Sequence, residues 1–137
     1  MSSTPTRHAK STFVSVTPLL PAGPKLDEAL RYYVGHLGFR VRWQGPGIAG
    51  IERDGVSFNL LQSDDRHWAE NSSHNIGVHD LGALYEELRN VPGRVGKIEE
   101  KPWGRVEFHL VEPNGVCFQF YELEEPLASA QRAHSTE

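Results

Sequence analysis

His109 and Glu107 stand two residues apart in Val106–Val111, a run that alternates as a β-strand does, so both side chains should leave the same face. An imidazole beside a carboxylate is the arrangement of a general base and its orienting partner. A plain histidine on a sheet rim has the same pattern, and both readings stay open. His74 and His79 lie five positions apart, on a strand and the turn after it, so they point to opposite sides and do not form a ligand pair. The chain has no Gly-x-Ser-x-Gly elbow, Walker loop or Cys-x-x-Cys, and Gly45-Pro46-Gly47 reads as a turn. Stacking chemistry is offered instead by Trp43, Trp68 and Trp103, which fall outside the helix faces, in strand ends and loops. Trp103 occupies Pro102-Trp103-Gly104, a turn that would present its indole edge to solvent; closure of a sheet edge or a subunit contact is the alternative. A single cysteine, Cys117, excludes an internal disulfide and reads as a small buried hydrophobe. Glu122, Glu124 and Glu125 read as a solvated end to the last strand.

A repeat shows what must position these groups. Gly55-Val-Ser-Phe-Asn-Leu-Leu-Gln62 returns at an offset of 60 as Gly115-Val-Cys-Phe-Gln-Phe-Tyr-Glu122, each copy following a turn. The first half reads as a strand (Thr12–Leu20), a helix (Leu26–Leu37) and strands near Phe39–Gln44, Ile48–Arg53 and Val56–Gln62. The helix has one apolar face (Leu26, Ala29, Leu30, Tyr33, Leu37), acidic groups in its first turn and Gly38 at its end. The second half reads as a strand (Ser73–Val78), a helix (Leu81–Arg89) with Asp80 as N-cap, and strands near Arg94–Ile98, Val106–Val111 and Val116–Tyr121. The expected fold is α+β: two βαβββ modules, residues 12–62 and 73–122, whose half-open sheets enclose a concavity with the helices outside.

At 137 residues the chain suits one domain with a real core, placed at 12–125 between polar tails at 1–11 and 126–137. A formal charge of −4 without a Lys/Arg stripe argues against nucleic acid as a partner. No apolar run approaches the roughly 20 residues that cross a bilayer, and no signal-peptide core opens the chain, so the expected address is the cytoplasm, away from membranes. Within the last strand of each half, Val56, Phe58 and Leu60, like Val116, Phe118 and Phe120, belong under the helices. That leaves Asn59 and Gln119 facing the cup at matched positions, beside Leu61 and Tyr121.

The double module, the helix end Arg31-Tyr-Tyr-Val-Gly-His-Leu-Gly-Phe39 and the turn Glu112-Pro-Asn-Gly115 resemble the vicinal oxygen chelate superfamily of glyoxalases, dioxygenases and bleomycin resistance proteins. Thr17-Pro-Leu-Leu20, Ile48-Ala-Gly-Ile-Glu-Arg-Asp-Gly55 and Lys101-Pro-Trp-Gly-Arg-Val-Glu-Phe-His-Leu-Val-Glu-Pro-Asn-Gly115 resemble the bleomycin resistance proteins in particular. The enzymes of the superfamily hold a metal on cup-facing strands. Carried onto this chain, those ligand positions fall on Thr17, Asn59, Ser73 (His74 if the alignment slips by one) and Gln119. Amides and hydroxyls supply no charge to offset a divalent ion, so neither a metal nor another cofactor is expected. In the resistance proteins a tryptophan matching Trp103 lines a groove and stacks on flat rings of the drug, and a second groove aromatic would fall near Ile48.

The resemblance implies a homodimer and a non-enzymatic binder that sequesters a planar, cationic ligand, such as a bleomycin-like glycopeptide, in a groove between subunits. The expected site is Trp103, Tyr121, Gln119, Asn59, Leu61, His109 and Ile48, with Asp64, Asp65, Glu70, Glu107 and Glu122 as the acidic set. The alternatives are a metal-dependent glyoxalase- or dioxygenase-like enzyme with ligands elsewhere, and a binding module with an unrelated ligand.

Overall fold

In the computed structural model, which describes residues 10–124, the two halves adopt the same topology. The first comprises β1 (Leu19–Pro21), α1 (Leu26–Gly35), β2 (Arg40–Gly45), β3 (Ile48–Arg53) and β4 (Val56–Leu61). After α2 (Arg66–Glu70) the second comprises β5 (Ser73–Val78), α3 (Leu81–Leu88), β6 (Arg94–Val95), β7 (Glu99–Glu100), β8 (Val106–Val111) and β9 (Cys117–Glu122). One sheet runs β1-β4-β3-β2 and the other β5-β9-β8-β6, with β7 pairing β8. In each, the first strand lies parallel to the last, which a crossover helix requires, and the remaining pairs are antiparallel. The expected tails and the end of the expected domain at residue 125 lie outside the described residues, apart from Lys10 and Ser11.

Helix ends are fixed locally. The first free amide of α1, Leu26 N–H, donates to the Gln62 side-chain oxygen at 2.9 Å, since Lys25 gives no side-chain cap. At its other end Gly38 adopts φ +77°, letting Phe39 N–H return to Tyr33 O at 3.0 Å. Asp80 caps α3, accepting from Ala83 N–H at 3.1 Å.

Each sheet buries one face. Leu20, Ala49, Ile51, Phe58 and Leu60 in the first sheet, with Phe108, Leu110, Phe118 and Phe120 in the second, join Leu26, Leu30, Tyr33, Leu81 and Leu88 in one core. Each of the buried Leu, Ile and Phe side chains contributes about 1.5–3 kcal/mol. The modules meet through this core: the Phe58 and Phe118 ring centroids are 5.7 Å apart, and Tyr33 meets Phe118 edge-on at 6.1 Å. Polar bridges lock the seam. Tyr33 Oη–H donates to buried Glu112 at 2.8 Å, and Arg53 donates to both Leu37 O (2.9 Å) and the Glu87 carboxylate (3.0 Å). Burial pushes the Glu112 carboxyl up, against the bonds that it accepts from Tyr33, Asn114 N–H and Gly115 N–H.

Three elements differ from expectation. The strand expected over Thr12–Leu20 is only Leu19–Pro21, because among the described residues no strand pairs with residues 12–17. Helix α2 was not expected, and it takes in Trp68. The strand expected over Arg94–Ile98 keeps only Arg94–Val95 (β6), while β7 (Glu99–Glu100), which lies beyond it and pairs β8, was not expected.

Candidate functional site

The faces turned away from the core carry the expected site residues on a regular grid. In the second module β8 and β9 pair Glu107 with Tyr121, His109 with Gln119 and Val111 with Cys117. Extending these rows, β5 adds Gly77, Asn75 and Ser73, and β6 adds Arg94 beside Val111. His109, Gln119 and Asn75 thus form a central polar row. The first module repeats the pattern: Ile48 pairs with Leu61, Gly50 with Asn59, and Leu19 with Asn59 from the other side. Gly50 therefore occupies the position equivalent to His109. There the ring comes from the neighbouring strand, Trp43 lying where a Gly50 side chain would be, just as His109 lies over Gly96. Ring and glycine have changed places between the modules.

Trp103, 68% exposed, is held from behind. Its Nε1–H donates to Glu107 Oε2 at 3.2 Å, so the indole edge meets a carboxylate and not only solvent. The same oxygen accepts from Arg105 Nε–H at 3.0 Å, which keeps Glu107 satisfied although it is only 3% exposed. Arg105 in turn lies over the Tyr121 ring, 3.9 Å from its centroid. Arg105 was not singled out from the sequence. Its role depends on Tyr121, distant in the chain; the only local signal is the Arg-Val-Glu spacing that puts it beside Glu107.

The expected acidic set does not gather at this face. Asp65 caps α2 through Trp68 N–H (3.1 Å), and Glu70 pairs with Arg66 (3.0 Å). Glu122, expected to be solvated, accepts from Asp80 N–H (3.1 Å) and Leu81 N–H (2.8 Å) at the start of α3. Asp64 is exposed in the loop before α2. Only Glu107 reaches the face, and Arg105 and Trp103 already hold it.

The metal positions carry weak donors. Thr17 is exposed and precedes β1, Ser73 and Gln119 belong to one sheet, and Asn59 belongs to the other. His74 faces the core, its ring 5.6 Å from Phe58 and 6.2 Å from Phe118, with Nε2 3.1 Å from Ser72 Oγ; burial holds its pKa down. Among the described residues no three His, Cys, Asp or Glu side chains converge. This donor set does not fit a resident divalent ion. Cys117 is half-buried on the open face, not in the core as expected; burial raises its thiol pKa, partly offset by Ser73 and Arg94.

A cavity of about 470 Å³ lies on the opposite side, between the modules, lined by Leu37, Phe39, Val56, Ile76, Leu84 and Phe120. None of the expected site residues borders it. It is a seam in the core, mostly apolar, with the Arg53–Glu87 pair among its lining residues. No helix among the described residues is long and apolar enough to cross a membrane.

Comparison with known proteins agrees with this geometry. The family described as Glyoxalase/Bleomycin resistance protein/Dioxygenase superfamily matches residues 22–120. No curated protein matches significantly. Among solved structures, the bleomycin-binding protein of bleomycin-producing Streptomyces verticillus, complexed with copper(II)-bleomycin, superposes with a TM-score of 0.74 at 25% identity, over 83% of this chain and 99% of that one. The bleomycin resistance determinant encoded on transposon Tn5 gives 0.73 at 22% identity, over 82% and 99%. A glyoxalase/bleomycin resistance protein/dioxygenase from Nocardioides gives 0.65 at 16% identity, over 88% and 90%.

Proposed function

The chain belongs to the Glyoxalase/Bleomycin resistance protein/Dioxygenase superfamily, and on that premise we propose that it is a non-enzymatic binder that sequesters a planar aromatic ligand. The observation that carries this reading is the open face of the second module. An exposed indole is fixed by a buried carboxylate, a tyrosine ring is capped by a guanidinium, and a row of amide and imidazole groups lies between strands. Such a surface can stack a flat ring and orient it by hydrogen bonds. It lacks the charged donor set that a metal-activated reaction needs. Trp103 is the stacking group; Tyr121 under Arg105 forms the floor, His109, Gln119 and Asn59 orient, and Leu61 and Ile48 give apolar contact from the first module.

The working unit is a homodimer, and its address the cytoplasm. The described residues of one chain leave both open faces uncovered, and Phe13, Val14 and Val16 stand exposed outside any strand (102%, 88% and 79%). A second copy would cover them and enclose the groove. Bleomycin is the first probe, because the Streptomyces verticillus relative is complexed with its copper form.

A thermal-shift screen tests the reading. Bleomycin or simple aromatic compounds should raise the melting temperature, since a ligand at 100 times Kd adds about 2.7 kcal/mol to stability, while zinc, nickel or manganese alone should not. Stabilisation by metal alone, with no response to any aromatic compound unless metal is present, would favour the enzyme alternative.

A further inference from the structure

The repeat of the two modules extends to the seam between them, and there its symmetry is broken. Arg53 and Glu112 stand at equivalent places, each opposite the first valine of its module's last strand, Val56 or Val116. Leu26 and Leu81 are equivalent too, since the side chains of Gln62 and Glu122 hold their amides. Along the helices Tyr33 therefore matches Leu88, and Tyr32 matches Glu87. At one end of the seam buried Glu112 takes the Tyr33 hydroxyl at 2.8 Å, and the Tyr33 ring meets Phe118 and Phe39 edge-on, with centroids 6.1 and 5.9 Å apart. The hollow left outside that clasp, about 320 Å³, touches none of the core phenylalanines. At the other end Leu88 replaces the tyrosine, and Arg53 reaches instead to Glu87, Asp54 and Leu37 O. The 470 Å³ cavity lies here, lined by the counterparts of the residues around the first hollow, and it continues inward to Phe39, Phe118 and Phe120.

The inner wall of this cavity suits hydrocarbon. Phe39, Leu88, Phe118 and Phe120 are buried, Ile76 and Leu84 half-buried, and among the described residues no buried side-chain polar atom lacks a partner. A ligand there gains by burying apolar surface and is offered no hydrogen bond. The exposed lining residues Asp54, His79, Asp80 and Glu87 mark its mouth. Three carboxylates stand there against one guanidinium, Arg53, which is already shared between Glu87 and Asp54. Asp80 forms no ion pair among the described residues, and only one of its oxygens caps α3. A ligand carboxylate meets excess negative charge at this mouth, whereas an ammonium complements it.

We propose that the seam is a second binding site, for a medium-chain alkyl amine, its chain laid between Phe39, Ile76, Leu84 and Phe120 and its ammonium held by Asp80 and Asp54. The site shares no residue with the proposed planar-ligand site on the open faces, so it goes beyond that function and does not depend on it.

Calorimetric titration with decylamine, decanol and decanoate, each below its micellar concentration, tests the site. Decylamine should bind about fivefold tighter than decanol, as exposed carboxylates imply, with decanoate weakest. From hexylamine to decylamine each methylene should tighten binding about three- to fourfold, as a chain entering an apolar cavity does. Asp54→Asn combined with Asp80→Asn should bring the amine-to-alcohol ratio near one; asparagine keeps both left-handed backbones (φ 51° and 63°) and the α3 cap. Ile76→Phe and Leu84→Phe fill the cavity and should abolish decylamine binding, while naphthalene-2-carboxylate, a planar probe of the open faces, binds as before. No binding of any alkyl probe, decanoate equal to or tighter than decylamine, an unchanged ratio in the double variant, or unchanged decylamine binding in both filled variants overturns the inference. Each of these leaves the planar binder standing. If the filled variants do not fold, amide NMR of the wild-type protein decides: decylamine must shift Ile76 and Leu84, and shifts at the Trp103 indole N–H without them overturn the site.

Discussion

Replacing Trp103 with alanine should cost the protein most of its ligand affinity and little of its fold. A tryptophan presents up to about 250 Å², and at 68% exposure about 170 Å² of Trp103 remains open. A ligand lying on one face and edge would cover about half of that, which at about 25 cal/mol per Å² is near 2 kcal/mol. Stacking adds about 0.5–1.5 kcal/mol, and ordering of the side chain is offset already by its bond to Glu107. The expected loss is therefore about 2.5–3.5 kcal/mol, or roughly 70- to 400-fold in Kd. Calorimetric titration with naphthalene-2-carboxylate reads it directly. Trp103→Phe separates stacking from the hydrogen bond, because it keeps a ring and loses the N–H; it should retain most of the affinity. Unchanged affinity in Trp103→Ala with a lowered melting temperature would refute the reasoning and make Trp103 a structural clasp on Glu107.

The remaining predictions concern assembly and stability. Sedimentation should give twice the 15.4 kDa chain mass, and serine at Phe13, Val14 and Val16 together should shift it towards monomer; an unchanged dimer would place the interface elsewhere. Glu112→Ala should lose about 3 kcal/mol, or about 10 °C in Tm, since it strands the Tyr33 hydroxyl and two backbone amides in a buried seam; a loss under about 0.5 kcal/mol would contradict the clasp. Burial lowers the folded-state pKa of His74, so the unfolded chain takes up its proton first. Its contribution should be intact above about pH 6.5 and lost as pH falls through the lowered folded value, and His74→Phe should flatten that part of the denaturation profile.

What the sequence disclosed was what repeats or alternates. The period-2 pattern in Val56–Leu61 and Val106–Val111 fixed their faces, because one side of each is buried and a slip by one residue would reverse it. The two-module fold followed from the Gly-Val-x-Phe repeat and the helix faces. Thr12–Leu20 alternates too, but a strand needs a neighbour, and among the described residues only its end, Leu19–Leu20, has one. Helix α2 is five residues long and buries only Ala69, so it shows no stripe; Asp65 as a cap and the Arg66–Glu70 spacing were its only marks. The site was legible in its strand residues and not in its assembly. That Arg105 covers Tyr121, or that Trp43 and His109 trade places against Gly50 and Gly96, depends on side chains meeting across strands. The acidic set misled for a similar reason: most of its members are engaged in helix caps and local pairs.

The central claim is that the planar ligand binds on the open sheet faces and not in the seam between modules. An amide and indole proton NMR titration with naphthalene-2-carboxylate separates the two places. The account predicts shifts at the Trp103 indole N–H and at the amides of His109, Gln119 and Tyr121, with weaker changes at Asn59 and Leu61. Shifts confined to Leu37, Val56, Ile76 and Leu84, around the 470 Å³ cavity, with the Trp103 indole unmoved, would contradict it.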